Sequence, residues 1–218
     1  MMKNKQAPMK IDIVSDVVCP WCVVGYRQLE EALAESGIEA EIIWHPFELN
    51  PQMATDGENL REHLMAKYGS TVDQSRQARE QLTAVGETLG FRFNFSDESR
   101  IYNTFDAHRL IRWAADHGKA HDLKMALFSS YFTQGKNISD HKVLAQAAHS
   151  VGLDKSEAMA VLKDGRFTYE VRAEESFWTE NGISGVPAVV FQQKHLMTGA
   201  QGVKNYRHML SQLTAKAE

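Results

Sequence analysis

The 218-residue chain has only two cysteines. A network of structural disulfides is therefore excluded, and so is a zinc site built from four thiolates. No basic block occurs. Lysine and arginine total 24 against 28 acidic residues, for a net charge of −4, and nothing in that balance argues for nucleic acid. Long apolar runs are also missing. The first apolar stretch, "IDIVSDVV", is short and broken by acids. The N-terminal "MMKNKQAPMK" is positively charged but has no apolar segment behind it. Neither a secretory signal nor a membrane span is expected, and the expected location is the cytoplasm. A purely structural disulfide is not expected there, so oxidation of a cysteine pair is read as transient and functional. No repeat period, Pro/Ser-rich linker or sustained heptad appears, and the oligomeric state is left open.

What is present suffices for a core: 43% hydrophobic and 9% aromatic residues. Both cysteines fall in one stretch, "VVCPWCVVG", as Cys19 and Cys22. "IDIVSDVV" before them reads as a strand over Ile11 to Val14, with a loop at Asp16 to Val18. From Pro20 the pattern turns helical, with Cys22, Tyr26, Leu29, Ala32 and Leu33 in phase. Pro20 suits the first helical position and Gly37 the exit. "AEIIWHPF" reads as a second strand, which makes the opening unit a strand, a helix and a strand, long enough for a right-handed parallel crossover.

From about Asn59 to Asn181 the pattern is almost entirely helical. Thr71 to Leu89 reads as one helix, "HDLKMALFSSYFTQG" as another, and Ser139 as the cap of a third. Strand character returns at "VPAVVF", followed by a short turn "QQKH" and "LMTGA", which signals a hairpin. A last amphipathic helix starts near Gly202, with Val203, Tyr206, Leu210 and Leu213 on one face. The simplest assembly is an α/β fold: one small mixed sheet from both termini, residues 9–52 and 183–218, with residues 53–182 inserted as a helical domain. Strand-helix-strand, insertion, strand-strand-helix is the thioredoxin order.

If Cys19 sits at the helix N-cap, its sulfur faces unpaired N–H groups and the positive end of the helix dipole. Its pKa is then expected to fall, and the thiolate is the nucleophile of disulfide exchange. Cys22, about one turn on, can attack a mixed disulfide on Cys19 and resolve it. Pro20 donates no N–H to the sulfur, and Trp21 brings no charge. Trp21 is either a platform for substrate or packing. Asp16 could oppose the thiolate or relay a proton, but the plainer reading, a polar loop residue, is preferred. Two other readings of the pair are weaker. Zinc lacks a second C-x-x-C, because His117 and His121 stand at i, i+4 with nothing to place them near Cys19. Inert core thiols would not need this spacing. Val186-Pro187 opens the third strand, and on its own Pro187 reads as a trans residue at a strand start.

Taken together, "CPWC", the strand-helix-strand around it, the long helical insert and "GVPAVVF" resemble the DsbA family of thioredoxin-fold proteins. "WHPFELNP", "NTFDAHRL" and "TGAQ" resemble its FrnE-like branch. The resemblance runs from about Lys10 to Leu213. It implies a cis peptide at Val186-Pro187 packed against Cys19, with the Val186 backbone free to pair with a substrate strand. It implies that Cys19 is an exposed nucleophile. It also implies that Asn103 and Arg109 lie near the cleft, two residues that otherwise read as a helix N-cap and a solvated charge. The implied activity is thiol-disulfide oxidoreduction or isomerisation on protein or small-molecule disulfides, with catalytic Cys19 and Cys22, a groove formed by Pro20, Trp21, Val186, Pro187 and Asn103, and no metal or resident cofactor. The alternative is a glutathione-dependent isomerase or transferase, as in 2-hydroxychromene-2-carboxylate isomerases and kappa-class glutathione transferases, with glutathione as co-substrate. In that branch a serine commonly stands where Cys19 stands here, so the retained pair favours disulfide exchange.

Overall fold

The computed structural model describes residues 7–215. Residues 1–6, most of the N-terminal stretch read above for a signal, lie outside it. The chain opens with β1 (Met9–Ser15), α1 (Pro20–Ser36) and β2 (Ala40–Pro46). β1 and β2 are parallel, with Ile13 beside Trp44, as the crossover reading requires. α1 has Pro20 in its first turn. It ends at Gly37 in the left-handed region (φ 62°), whose N–H reaches the last carbonyls. Its buried face carries Cys22, Tyr26, Leu29 and Ala32.

β5 (Ala188–Phe191) pairs antiparallel with β1 and with β6 (His195–Thr198), giving the sheet order β2-β1-β5-β6. α9 (Val203–Ala215) buries Tyr206, Leu210 and Leu213 and packs against α1. Ile11 and Ile13 join these helices in the main core. Val14 and Ala188 form a smaller cluster with Ile183, with Trp178 against it. Every position of β1 from Ile11 to Ser15 is buried, so the strand is covered on both faces.

Between β2 and β5 run β3 (Glu58–Asn59), α2 (Leu60–Tyr68), α3 (Val72–Thr88), β4 (Arg100–Ile101), α4 (Phe105–Ala115), α5 (Ala120–Phe128), α6 (His141–Ser150), α7 (Lys155–Asp164) and α8 (Thr168–Glu180). The fold is thioredoxin-like with a large helical insertion, as the element order predicts.

Three details depart from the periodicity. β3, at the edge of the stretch read as almost entirely helical, pairs with β4 inside it as a two-residue ladder. The "HDLKMALFSSYFTQG" helix does not run through, because α5 gives way to a π-helical turn at Ser129–Thr133. Ser139 does not cap α6. Its hydroxyl donates to the Thr55 carbonyl and to Asn137 Oδ1, and Asp140 takes the Lys142 N–H instead, at 2.8 Å. α3 is capped at Thr71, reciprocally with Gln74, at the edge of the helix read over Thr71 to Leu89.

Candidate active site

The end of β1 delivers the chain to a tight turn. The Cys19 N–H meets the Asp16 carbonyl at 3.2 Å. Cys19 is the N-cap of α1 in an extended conformation, and its side chain makes no capping bond. Both thiols are free. Cys22, one turn on, has no exposed surface, and Cys19 keeps 4%. This corrects the expectation of an exposed nucleophile. Cys19 sits on the floor of a cavity of about 410 Å³ walled by α2, α3, Leu49 and Val186, and these elements rise over the N-terminus of α1. Trp21 is 41% exposed and lines the same cavity with Pro20.

The Val186-Pro187 peptide is cis, as the resemblance implies. Cys19 Sγ lies 3.6 Å from the Val186 carbonyl, to which its S–H donates. That carbonyl is therefore engaged in the dithiol form rather than free for a substrate strand. The Pro187 carbonyl takes the Gly199 N–H at 2.7 Å. Gly25 faces the proline ring across α1, and a Cβ there would stand 3.1 Å from Pro187 Cγ.

Asn103 does not line this cavity. Its amide donates to the Met53 carbonyl at 3.1 Å, and its oxygen takes the Phe105 N–H at 3.0 Å, which fixes the entry to α4. Arg109 is neither solvated nor in the groove. It is buried, donates to the carbonyls of Val161 (2.6 Å) and Arg166 (2.8 Å), and pairs with Asp106 at 2.6 Å. His121, whose pairing with His117 was weighed as metal ligation, bonds Tyr26 and Trp44. Among the described residues no group of three His, Cys, Asp or Glu side chains could hold a metal ion.

The charges under the dithiol come from Asp16, read above as a polar loop residue, and from His108 and Lys124, which sequence reading passed over. Asp16 is fully buried, not a polar residue on a loop surface. Its Oδ2 takes the Leu49 N–H at 2.8 Å, and Oδ1 stands 3.4 Å from His108 Nε2. Burial alone would push its carboxyl up. His108, the Leu49 N–H and Lys124 outweigh burial and hold it below the ordinary carboxylate value. Lys124, on α5, is 1% exposed. Its Nζ donates to the Ser15 carbonyl at 3.3 Å and lies over the rings of Trp44 and Phe128, at 5.4 and 5.1 Å. Burial pulls its pKa down to about 8, against the opposing charges of Cys22, Asp16 and Cys19. One signal could have found it. In "HDLKMALF" this lysine stands in helical phase with Leu127 and Phe128, on the apolar face.

The thiols reverse the expected order. The hydrogen bond shared with Cys22, then burial, raise Cys19, although the Cys22 N–H at the helix start opposes this. Burial also pushes Cys22 up. There it is outweighed by the hydrogen bond from Cys19, by the Ser15 hydroxyl and by the Lys124 charge, so Cys22 is lowered. The pair titrates as one unit. The dipole argument for Cys19 was right in sign. At Cys19 it is outweighed by the hydrogen bond shared with Cys22 and by burial.

The family model described as "DSBA-like thioredoxin domain" matches residues 10–211. Three solved structures are similar over nearly the whole chain. A structure described as a probable DsbA oxidoreductase from Streptomyces coelicolor is 32% identical, with 94% of this chain and 89% of that one covered and a TM-score of 0.87. The selenomethionine structure of 2-hydroxychromene-2-carboxylate isomerase is 14% identical, with coverages of 96% and 98% and a TM-score of 0.72. The cytosolic disulfide reductase DsbM from Pseudomonas aeruginosa, solved with GSH, is 15% identical, with coverages of 94% and 99% and a TM-score of 0.64. The last two show a shared fold.

Proposed function

The chain belongs to the DSBA-like thioredoxin domain family, and on that premise we propose that it exchanges disulfides through Cys19 and Cys22, acting on protein or small-molecule disulfides. One observation carries the reading. The two thiols lie within one turn of each other at the start of α1, and Cys19 is the one that faces the cavity. A substrate sulfur can reach Cys19 and cannot reach Cys22. One proton of the dithiol first leaves to water; in the singly deprotonated pair the remaining proton, shared in the hydrogen bond between the two sulfurs, rests on Cys22, and the Cys19 thiolate attacks a disulfide R–S–S–R. A Cys19–S–S–R bond forms and one RS⁻ leaves. Cys22 then loses its proton and attacks Cys19 Sγ, closing the internal disulfide and expelling the second RS⁻. Two electrons pass from the dithiol to the substrate, and the two protons end on the released thiols. The reverse sequence oxidises a dithiol substrate.

Trp21 and the apolar walls contribute the contact surface, and the Val186 carbonyl holds Cys19 until substrate arrives. Glutathione is the small thiol to try first, since the disulfide reductase of similar fold was solved with it. That reductase's cytosolic setting also supports the cytoplasm as the place of reaction. The isomerase-like fold keeps a second reading in view, in which glutathione binds and turnover survives Cys22→Ala.

The test equilibrates the purified protein in graded glutathione buffers, blocks free thiols and weighs it intact. The exchange reading expects a reversible loss of two hydrogens with no adduct, and a stable glutathione adduct once Cys22 is replaced by Ala. A stable adduct on the unsubstituted protein, with no internal disulfide, would move the assignment to the isomerase class.

A further inference from the structure

The walls of the cavity over Cys19 decide which disulfides can reach the sulfur. They are mainly apolar, with Leu60, Leu64, Leu82, Phe95 and Phe132 among them. A space of about 410 Å³ is the size of a small-molecule pocket. Cys19 at its floor is 4% exposed. A small disulfide can sink to that floor, whereas one held in a folded chain is kept off by the walls.

Two buried donors interrupt the apolar lining, both on α3 and one helical turn apart. Ser75 is 5% exposed, and its hydroxyl has no hydrogen-bond partner among the described residues. Arg79 gives its terminal nitrogens to the Ser96 carbonyl at 2.9 Å and to Asp97 at 3.3 Å. Its Nε–H is buried and has no partner there either. Both residues line the cavity. A buried donor without an acceptor is costly, and a ligand that brings the acceptor recovers the loss.

Charge selects the acceptor. Among the described residues that line the cavity, His63, Lys67 and Arg79 are basic and none is acidic. Lys67 and His63 are already engaged by Asn50, at 2.7 and 3.0 Å. An anionic acceptor therefore suits Ser75 and Arg79 better than a neutral one. A ligand ammonium would find no carboxylate in the wall.

We propose that the site takes small disulfides of apolar, carboxylate-bearing thiols, and that Ser75 and Arg79 bind the carboxylate while Cys19 attacks the sulfur. The proposal rests on the Cys19–Cys22 exchange reading and names its substrate class. The Cys19 thiolate forms a Cys19–S–S–R bond, the substrate S–S bond breaks, and RS⁻ leaves with the bonding pair. The second RS⁻ leaves when Cys22 closes the internal disulfide, so the two electrons of the dithiol release two apolar thiols. Glutathione disulfide is the poorer fit, because it carries ammonium groups and little apolar surface.

The test uses Cys22→Ala, which leaves Cys19 as the one thiol. The probes are two aromatic disulfides whose released thiols are read by absorbance. Dithiobis(nitrobenzoate) carries carboxylates and dithiodipyridine carries none. With the first, the rate is expected to saturate as its concentration rises. Adding Ser75→Ala is expected to raise its half-saturating concentration roughly tenfold and to change the dithiodipyridine rate by less than about twofold. Arg79→Lys keeps the charge but not the Nε–H, and is expected to act in the same direction. Equal effects on the two probes, or none on either, overturn the proposal. Ser75→Ala deletes one oxygen inside a helix that alanine favours, so folding is not at stake.

A second measurement leaves α3 unchanged. Phenylbutyrate is expected to slow alkylation of Cys19 by iodoacetamide more than the neutral phenylbutyramide does. Equal protection overturns the proposal. So does a denatured polypeptide disulfide that captures Cys19 ahead of dithiobis(nitrobenzoate) at equal concentration, which would make the cavity a polypeptide site. The two readings fail differently. If Cys19 reacts with no disulfide, the exchange reading falls and this one with it. If it reacts with both probes and Ser75→Ala alters neither, the substrate class alone falls.

Discussion

A carboxylate with no solvent contact stays charged only when the groups around it favour the charge. Asp16 has the Leu49 N–H, His108 and Lys124. Its folded pKa lies below the ordinary value of 3.8. A depressed carboxyl contributes stability that is complete above the unfolded value and lost as pH falls through the folded one. Asp16→Asn keeps an acceptor for Leu49 but removes the charge. It is expected to cost about 1–3 kcal/mol at neutral pH, measured as the shift in urea midpoint. The gap between the two proteins should close as pH is lowered through the carboxylate range, since the parent then loses the same charge. A gap that stays constant to low pH would show that Asp16 is not held ionised. Arg109 belongs to the same scale. It ties α4 to the carbonyls of Val161 and Arg166, and Arg109→Met would leave those carbonyls without this donor and Asp106 with His141 as its remaining partner. The loss expected is about 3 kcal/mol or more, read by chemical denaturation.

Helix packing fixes where the proline can stand against the dithiol. α1 approaches Pro187 at Gly25, where a Cβ would meet the proline ring at 3.1 Å. Alanine there adds helix propensity of about 1 kcal/mol but overpacks the contact by about 1–3 kcal/mol. Gly25→Ala is therefore expected to shift the Val186-Pro187 segment outward and loosen the contact from Cys19 to the Val186 carbonyl. The readout is faster alkylation of Cys19 in the reduced protein, with a small fall in stability. An unchanged alkylation rate would mean that Pro187 is positioned by other contacts. Elements with their own periodicity and punctuation were legible in the sequence: α1 between Pro20 and Gly37, the β5–β6 hairpin, and α9. The β3–β4 ladder was not. It is two residues long and pairs Glu58 with Ile101, so it has no period of its own. The cap at Ser139 failed because Thr55, distant in sequence, competes for the hydroxyl. The site divides the same way. The cysteine pair is readable from spacing, and the proline's place beside it from the family resemblance alone. Asp16, His108 and Lys124 come from three separate elements, and only folding brings them together.

Across the whole molecule, one continuous core joins the sheet helices to the inserted ones, and several ionisable groups are shut inside it with opposite pH signatures. Burial pulls Lys124 from 10.5 to about 8. Burial pushes Tyr26, Tyr131 and Tyr206 above their ordinary value of 10.0. The lysine binds its proton less tightly folded than unfolded. Its contribution to stability therefore rises with pH from about 8 to 10.5. The tyrosines keep their protons longer when folded. Their contribution is complete below pH 10 and is lost as pH climbs past it. The cysteines titrate in the same range, so the clean measurement uses the double variant Cys19→Ser, Cys22→Ser. Removing the thiolates takes away two charges that hold the Lys124 proton, which moves the start of the lysine window below 8. The urea midpoint of that protein is expected to rise through mildly alkaline pH and then fall above about 10. Adding Lys124→Met should flatten the rise and leave the fall. A rise that persists without Lys124 would assign the alkaline limb to other groups. A fall that begins well below pH 10 would mean that the three tyrosines are not what limits the fold in alkali.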